Sequence, residues 1–372
     1  MIEKLRQRQE EILLPESNPL LQAKEKIFVY FRSLLRDEAI VAKDFTAQDW
    51  QEYISLASSQ GLLQLTYWKT KHLPEPFHPP KEIFEQLRQA FMANYVKFLQ
   101  TEQQLKVLCG AFNTAGIKVL LLKGPAFAQS IYPHPALRSF SDIDILVNPE
   151  NVTKTKAVLR QLDYQSHTQE FEHFQGLRNE ESFSSKGKTP ALKSIDLHWD
   201  IHCFFGILKH VSVKDYFDNS ISITTPQLAF LTLNPVDALI HAAVHMRMTH
   251  HGSFRLSWVA DMAMLIKQLI SLDDWQRLKR KSQDIGATLV VGESLKLAEF
   301  FFGTGLPADF IKAGGWPKAT KRESIDLNHA IRRNQNNLSW LLARWPRRLH
   351  PLKQIILFGN LLAERLGPKI RR

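Results

Sequence analysis

The spacing of apolar residues changes period twice along this chain, and those two changes restrict the fold more than any other feature. Up to Gly116 the spacing is helical. PLLQAKEKIFVYFRSLLRDEA is followed by AQDWQEYISLASSQG, introduced by Thr46, and then by the long run PPKEIFEQLRQAFMANYVKFLQTEQQLKVLCGAFNTAG. Gly61 and Gly116 end their segments as helix-stopping glycines do, and the prolines at 79 and 80 open the third segment. Directly after Gly116 the texture becomes that of strands. IKVLLL is a compact aliphatic run, Gly124-Pro125 makes a turn, and AFAQSIY is a short helix broken by Pro133 and Pro135. SDIDILVNP alternates polar and apolar residues, VTKTKAVLRQLDYQ returns to helical spacing, and KSIDLHWDIHC alternates again. From Asn234, a capping residue followed by Pro235 at the first helical position, the pattern is helical once more. VDALIHAAVHMRM, RLSWVADMAMLIKQLI, DWQRLKRKSQDIG and TLVVGESLKLAEFFFG carry it on. Strands and helices bracketed by helices predict an α+β protein built on a mixed sheet. The regions are an N-terminal helical stretch over 1–100, an α/β core over 101–228 and a C-terminal helical region over 229–372 with a basic tail.

At 372 residues, 44% hydrophobic and 23% charged, the chain has the composition of a soluble globular protein large enough for two or three compact units. The charged N-terminus lacks the apolar segment of a secretory signal, and no run approaches the ~18–20 apolar residues needed to span a bilayer. Cys109 and Cys203, the only cysteines, are far apart, so neither a disulfide partner nor a zinc cluster is expected and the cytoplasm is the expected location. The net charge of +11 is scattered, with few interleaved aromatics, and reads as a solvated surplus rather than a nucleic-acid surface. The tail after Arg333 mixes Arg and Lys with Leu, Ile and Trp. It reads as a docked basic helix, with weak contact to an anionic membrane surface or to nucleic acid as the alternatives.

The chemistry concentrates in the strands. In Asp142-Ile143-Asp144, strand alternation puts both carboxylates on one face. Two ionised carboxylates so close need a cation between them, and oxygen ligands suit Mg²⁺. Asp196 has the same setting in KSIDLHWD. If its strand lies beside the first, three carboxylates can hold two metals for an in-line displacement. Upstream, LLLKGPAF sets a glycine turn between strand and helix. Gly124 lets backbone approach a phosphate, and Lys123 adds charge beside it. Arg138 is a candidate fork for phosphate oxygens. The structural alternatives are a plain turn at Gly124 and a carboxylate-paired Arg138.

With those residues in hand, KGPAFAQSIYPHPALRSFSDIDILV resembles the signature of the uncharacterised nucleotidyltransferase family within the DNA polymerase β-like superfamily. That signature is a Lys-Gly turn, a Tyr-Pro element, an arginine and Asp-x-Asp. DWQEYISLASSQGLLQLTYWK, IDLHWDI and HAAVHMRMTHHGSFRLSWVADMAML resemble the family's helical lead-in, third-carboxylate strand and downstream helical pair, so the resemblance spans residues 45 to 300. It implies a minimal polymerase-β-type sheet, with Asp142 and Asp144 as metal ligands and Asp196 as third ligand or base. It also implies nucleotide binding at Lys123, Gly124 and Arg138. The expected activity is Mg²⁺-dependent transfer of a nucleoside monophosphate from ATP or another triphosphate to a hydroxyl acceptor, whether small molecule, protein or RNA. The superfamily usually has Gly-Gly or Gly-Ser where this chain has Lys123-Gly124, and the alternative is a nucleotide- or RNA-binding module without turnover.

Four further residues are candidates for the acceptor side. His198 and Asp200 share the face of Asp196 if alternation continues, and His241 and His245 lie four apart on a helical pattern, with Asp261 on the next helix. With Asp261 the two helical histidines read as a metal site or acceptor wall, and otherwise as core or interhelical hydrogen-bonding histidines. Arg255 and Trp258 read as a structural cluster at a helix start.

Overall fold

The computed structural model describes residues 18–38, 44–166, 179–185, 192–201, 208, 211–249, 255–269, 271–307, 310 and 315–332. Cys203 and the basic tail from Arg333 onward lie outside the described residues. The first helices are α1 (Pro19–Gln22), α2 (Glu25–Leu35), α3 (Ala47–Ser59), α4 (Leu63–Lys71) and α5 (Lys81–Thr114). The sheet region holds β1 (Val119–Leu121), α6 (Lys123–Ser130), β2 (Asp142–Val147), α7 (Val152–Gln161), β3 (Tyr164–Ser166), β4 (Glu180–Ser185) and β5 (Ser194–His198). It continues with α8 (Val213–Asp218), β6 (Ile221–Thr224) and β7 (Ala229–Thr232). Helices α9 (Pro235–Val244), α10 (Leu256–Ile266), α11 (Leu272–Ile285), α12 (Thr288–Phe302) and α13 (Lys321–Arg332) follow.

Local chemistry explains the helix starts. Thr46 and Asp49 form a reciprocal capping box on α3, with the Thr46 N–H donating to Asp49 at 2.8 Å and the Asp49 N–H to Thr46 Oγ1 at 3.2 Å. Asn234 Oδ1 accepts from the N–H groups of Val236 and Asp237, both at 3.1 Å, to open α9. The expected single helix from Pro19 is two, because Lys24 is extended between them. The 34-residue α5 runs unbroken across position 100, where the spacing places the edge of the core region.

The sheet is mixed, in the order β3-β4-β5-β2-β1-β7-β6, with β2–β5 and β1–β7 parallel and the other pairs antiparallel. The spacing predicts β1, β2 and β5. It misses the two flanking pairs, which are short and partly polar (YQS, EESFSS, ISIT, AFLT) and carry little periodic signal. Alternation divides the central strands as expected. Ile143, Ile145, Val147, Ile195 and Leu197 face an apolar cluster with Leu105, Leu108 and Phe112 of α5 and Val158 and Leu159 of α7. Leu120, Leu122 and Leu146 belong to a larger cluster shared by both helical regions, including Phe28, Tyr53, Leu239, Val259 and Phe301. The first and last thirds of the chain therefore pack together over the face that carries Asp142 and Asp144. No helix among the described residues is long and apolar enough to cross a membrane.

Candidate active site

β2 and β5 pair in parallel with Asp142 opposite Ser194 and Asp144 opposite Asp196, so the three carboxylates share one face of adjacent strands. Asp144 is 4% exposed, while Asp142 and Asp196 are half-buried. Lys123 Nζ lies 2.9 Å from Asp144 Oδ1, and His198 Nε2 lies 3.1 Å from the same oxygen. The other ring nitrogen of His198 is at ion-pair distance, 3.2 Å, from Glu180 on β4.

The electrostatics of the three acids differ accordingly. Burial opposes the charge on Asp144, but Lys123 and His198 overcome it and hold the carboxyl well below the usual range. Burial raises Asp142, and the charge of Asp144 raises it further, against the pull of Lys123. Burial also raises Asp196, with Asp144 and Asp142 adding to it and a hydrogen bond from Ser182 opposing. Burial disfavours the charged form of His198, yet its contacts with Asp144 and Glu180 push its pKa up to about 9.

The turn before the acids is shaped by a close approach. A Cβ on Gly124 would sit 3.2 Å from Phe140 Cβ and 3.5 Å from the Asp142 carbonyl oxygen, so a side chain there would press on the segment leading into β2. Lys123 has a φ of 34°, a positive value that a non-glycine residue adopts at a cost. The Leu122 N–H donates to the Asp144 carbonyl at 2.9 Å, tying the turn to the acid strand.

Several expected partners are arranged differently. Arg138 lines the same cavity as the acids, but its Nε donates to Asp261 Oδ1 at 2.7 Å and another guanidinium nitrogen donates to the Ser139 carbonyl. The Tyr132 hydroxyl donates to the same Asp261 oxygen at 2.8 Å. This is the carboxylate-paired arginine, with one Asp261 oxygen shared between Arg138 and Tyr132. α9 ends at Val244 and His245–Thr249 form a π-helical turn, leaving the two imidazole rings 6.1 Å apart, with His245 on the cavity and His241 buried. β5 ends at His198, so alternation does not carry Asp200 onto the face of Asp196. Asp200 is buried, and its charge acts on Tyr216. Among the described residues no three His, Cys, Asp or Glu side chains are placed to hold a metal together. The acids are brought to one face, yet they do not converge as a three-carboxylate ligand cluster.

The acid face opens into a cavity of about 820 Å³, within the size range of small-molecule sites. Lys123, Asp142 and Asp144 line one side, and Gln60, His245, Arg255 and Trp258 line the helical side. Gln60 fastens that wall: its side-chain oxygen accepts from the Leu256 N–H at 3.2 Å and its carbonyl from the Ser257 N–H at 3.1 Å. Gly61, at a φ of 69°, leaves room for Ser257, whose Oγ is 3.0 Å from where a Cβ would lie. Arg255 and Trp258 are thus cavity residues as well as the start of α10. Spacing gives no signal for Gln60 or for Lys193, another lining residue, because neither stands in a recognisable motif.

Residues 46–303 match the family described as uncharacterised nucleotidyltransferase. The chain belongs to this family. The nucleotidyltransferase match starts at Thr46, the cap of α3, and ends at Gly303, the C-cap of α12. It contains the acid strand, Asp196 and both halves of the helical wall. No curated protein matches the sequence. Among solved structures, the chain is similar to the crystal structure of an antigenic nucleotidyltransferase-like protein from Paracoccidioides brasiliensis. The identity is 13%, covering 54% of this chain and 96% of that one, with a TM-score of 0.31.

Proposed function

We propose that the protein is a Mg²⁺-dependent nucleotidyltransferase that moves a nucleoside monophosphate from ATP or another nucleoside triphosphate onto a hydroxyl acceptor. The observation that carries this reading is the pair Asp142 and Asp144 beside Asp196 in strand register, at the edge of a cavity sized for a nucleotide. The donor chemistry fits the ion, since hard carboxylate oxygens share one face and the raised Asp142 and Asp196 are groups a divalent cation would return to their charged forms. Asp142 and Asp144 would hold it, and Mg²⁺ when bound supplies polarisation of the phosphoryl oxygens. Asp196 has a raised proton affinity and takes the proton of the attacking hydroxyl. Lys123 presents its ammonium at the glycine turn, where it faces incoming phosphate oxygens as well as Asp144. Arg138 acts indirectly, holding the Ser139–Ser141 lead-in to β2 through Asp261.

The test is calorimetric titration of ATP, GTP, CTP and UTP with and without Mg²⁺, on wild type and Asp142→Asn, followed by transfer of α-labelled nucleotide to candidate acceptors. Metal-dependent binding that disappears in the variant is expected, and full binding and transfer by Asp142→Asn would sink the assignment. A second reading, nucleotide binding without transfer, draws on the Lys123 and His198 cations that already neutralise Asp144. Triphosphate binding with no pyrophosphate released across diverse acceptors would favour it.

A further inference from the structure

We propose that Lys193 is a phosphate-binding residue for the nucleotide and that Gln104, on the long helix behind the sheet, is its positioning residue. The proposal rests on the triphosphate reading of the cavity.

Lys193 lies immediately before β5, three residues ahead of Asp196, and lines the cavity. Its Nζ donates to the Phe140 carbonyl at 2.9 Å and sits 5.6 Å from the centre of the Phe140 ring. This places the ammonium over the segment that enters β2. Two other cations on that side are matched to carboxylates, Lys123 to Asp144 and Arg138 to Asp261. Lys193 forms no ion pair among the described residues, and one carbonyl leaves two of its three N–H donors for other oxygens. A half-buried ammonium beside a cavity, feeling the charge of Asp142 but in no ion pair among the described residues, suits an anionic ligand.

The backbone at this position is held with unusual care. Gln104 is 4% exposed on the buried side of α5, with Thr101, Leu105, Leu108 and Phe112 beside it. Its side-chain oxygen accepts from the Lys193 N–H at 2.9 Å, and its side-chain nitrogen donates to the Lys193 carbonyl at 2.8 Å. The same nitrogen donates to the Tyr164 hydroxyl at 2.8 Å. The amide acts as a surrogate strand for one residue, continuing sheet-like pairing beyond Ser194, where the Asp142 register ends. Packing alone would be served by leucine. A buried amide that engages both backbone groups of one residue fixes the origin of that residue's side chain.

The experiment titrates the full-length protein with ATP plus Mg²⁺, with pyrophosphate plus Mg²⁺, and with Mn²⁺ alone. Wild type is compared with Lys193→Met, which keeps the apolar stem over Phe140, with Lys193→Arg and with Gln104→Leu. Lys193→Met is expected to weaken ATP and pyrophosphate about ten- to a hundredfold, the loss of a charge-assisted contact, with Mn²⁺ affinity within about threefold. Lys193→Arg is expected to recover part of the loss, and Gln104→Leu to weaken ATP in the same sense with Mn²⁺ again unaffected. Equal ATP affinity in wild type and Lys193→Met overturns the proposal, as does a parallel loss of Mn²⁺ binding, which would make Lys193 a support for the carboxylates. If wild type itself binds no triphosphate, the nucleotide reading fails first and the role of Lys193 falls with it.

Discussion

Replacing Asp144 by asparagine removes a buried charge on which two cations depend, and the structure sets the size of the effect. His198 rises from 6.5 to about 9 on folding, which corresponds to about 3 kcal/mol of interaction shared between Asp144 and Glu180. Lys123 loses its only ion pair among the described residues, and a broken buried pair costs about 3–5 kcal/mol in well-studied cases. The two figures overlap, since both count the same Asp144 charge, and Lys123 can turn toward the cavity. A net loss of about 2–4 kcal/mol at pH 7 follows, or about 3–5 °C in melting temperature for a chain of 372 residues. Asp142→Asn has the opposite sign: burial and Asp144 already disfavour its charge, so the neutral amide should leave stability unchanged or raise it by up to about 1 kcal/mol. The assay is thermal and urea unfolding of both variants in metal-free buffer from pH 6 to 10. A histidine whose folded pKa is raised contributes fully below 6.5 and loses that contribution as pH rises through about 9. Wild type should therefore weaken across this window, and Asp144→Asn should weaken less. If Asp144→Asn melts at or above wild type at pH 7, or if Asp142→Asn falls as far, the charge hub assigned to Asp144 is wrong.

Two further outcomes are expected. Arg247 is fully buried, none of its guanidinium nitrogens has a hydrogen-bond partner among the described residues, and burial holds its pKa down to about 10, so Arg247→Met should gain about 1–3 kcal/mol in urea unfolding at pH 7; a loss would reveal a partner for the guanidinium. Gly124→Ala should shift the Phe140–Asp142 lead-in, lowering stability by about 1–3 kcal/mol and weakening triphosphate binding in calorimetry, whereas unchanged values would show that the 3.2 Å approach relaxes freely.

The parts of this protein legible in its residues are those governed by geometry within a few positions. Two-residue alternation is a property of the extended backbone, so Asp142 and Asp144 on one face and Ile143 and Ile145 on the other follow before any partner strand is known. Capping at Thr46 and Asn234 and the stops at Gly61 and Gly116 are equally local. The short flanking strands β3, β4, β6 and β7 escape this reading because three to six residues with weak alternation acquire their conformation from the neighbour they pair with.

Other features were settled by which surfaces buried each other. Local order offers Arg138 either phosphate or a carboxylate, and the choice fell to Asp261, on a helix that packing brings beside it. His241 and His245 keep the shared face that four-residue spacing gives them, with rings 6.1 Å apart, and packing decides only that His245 meets the cavity while His241 is buried. Asp200 would extend the face of Asp196 only if β5 ran two residues further. The helical wall joins Gln60 to Leu256, and the support of Lys193 joins it to Gln104, contacts between distant stretches that no periodicity encodes. Thus the α+β class and the facing acids were written in the order of the residues, because backbone geometry acts over two to four positions. The charge balance of the acids and the cavity in front of them arose from folding, because burial and long-range register choose each charged group's partner.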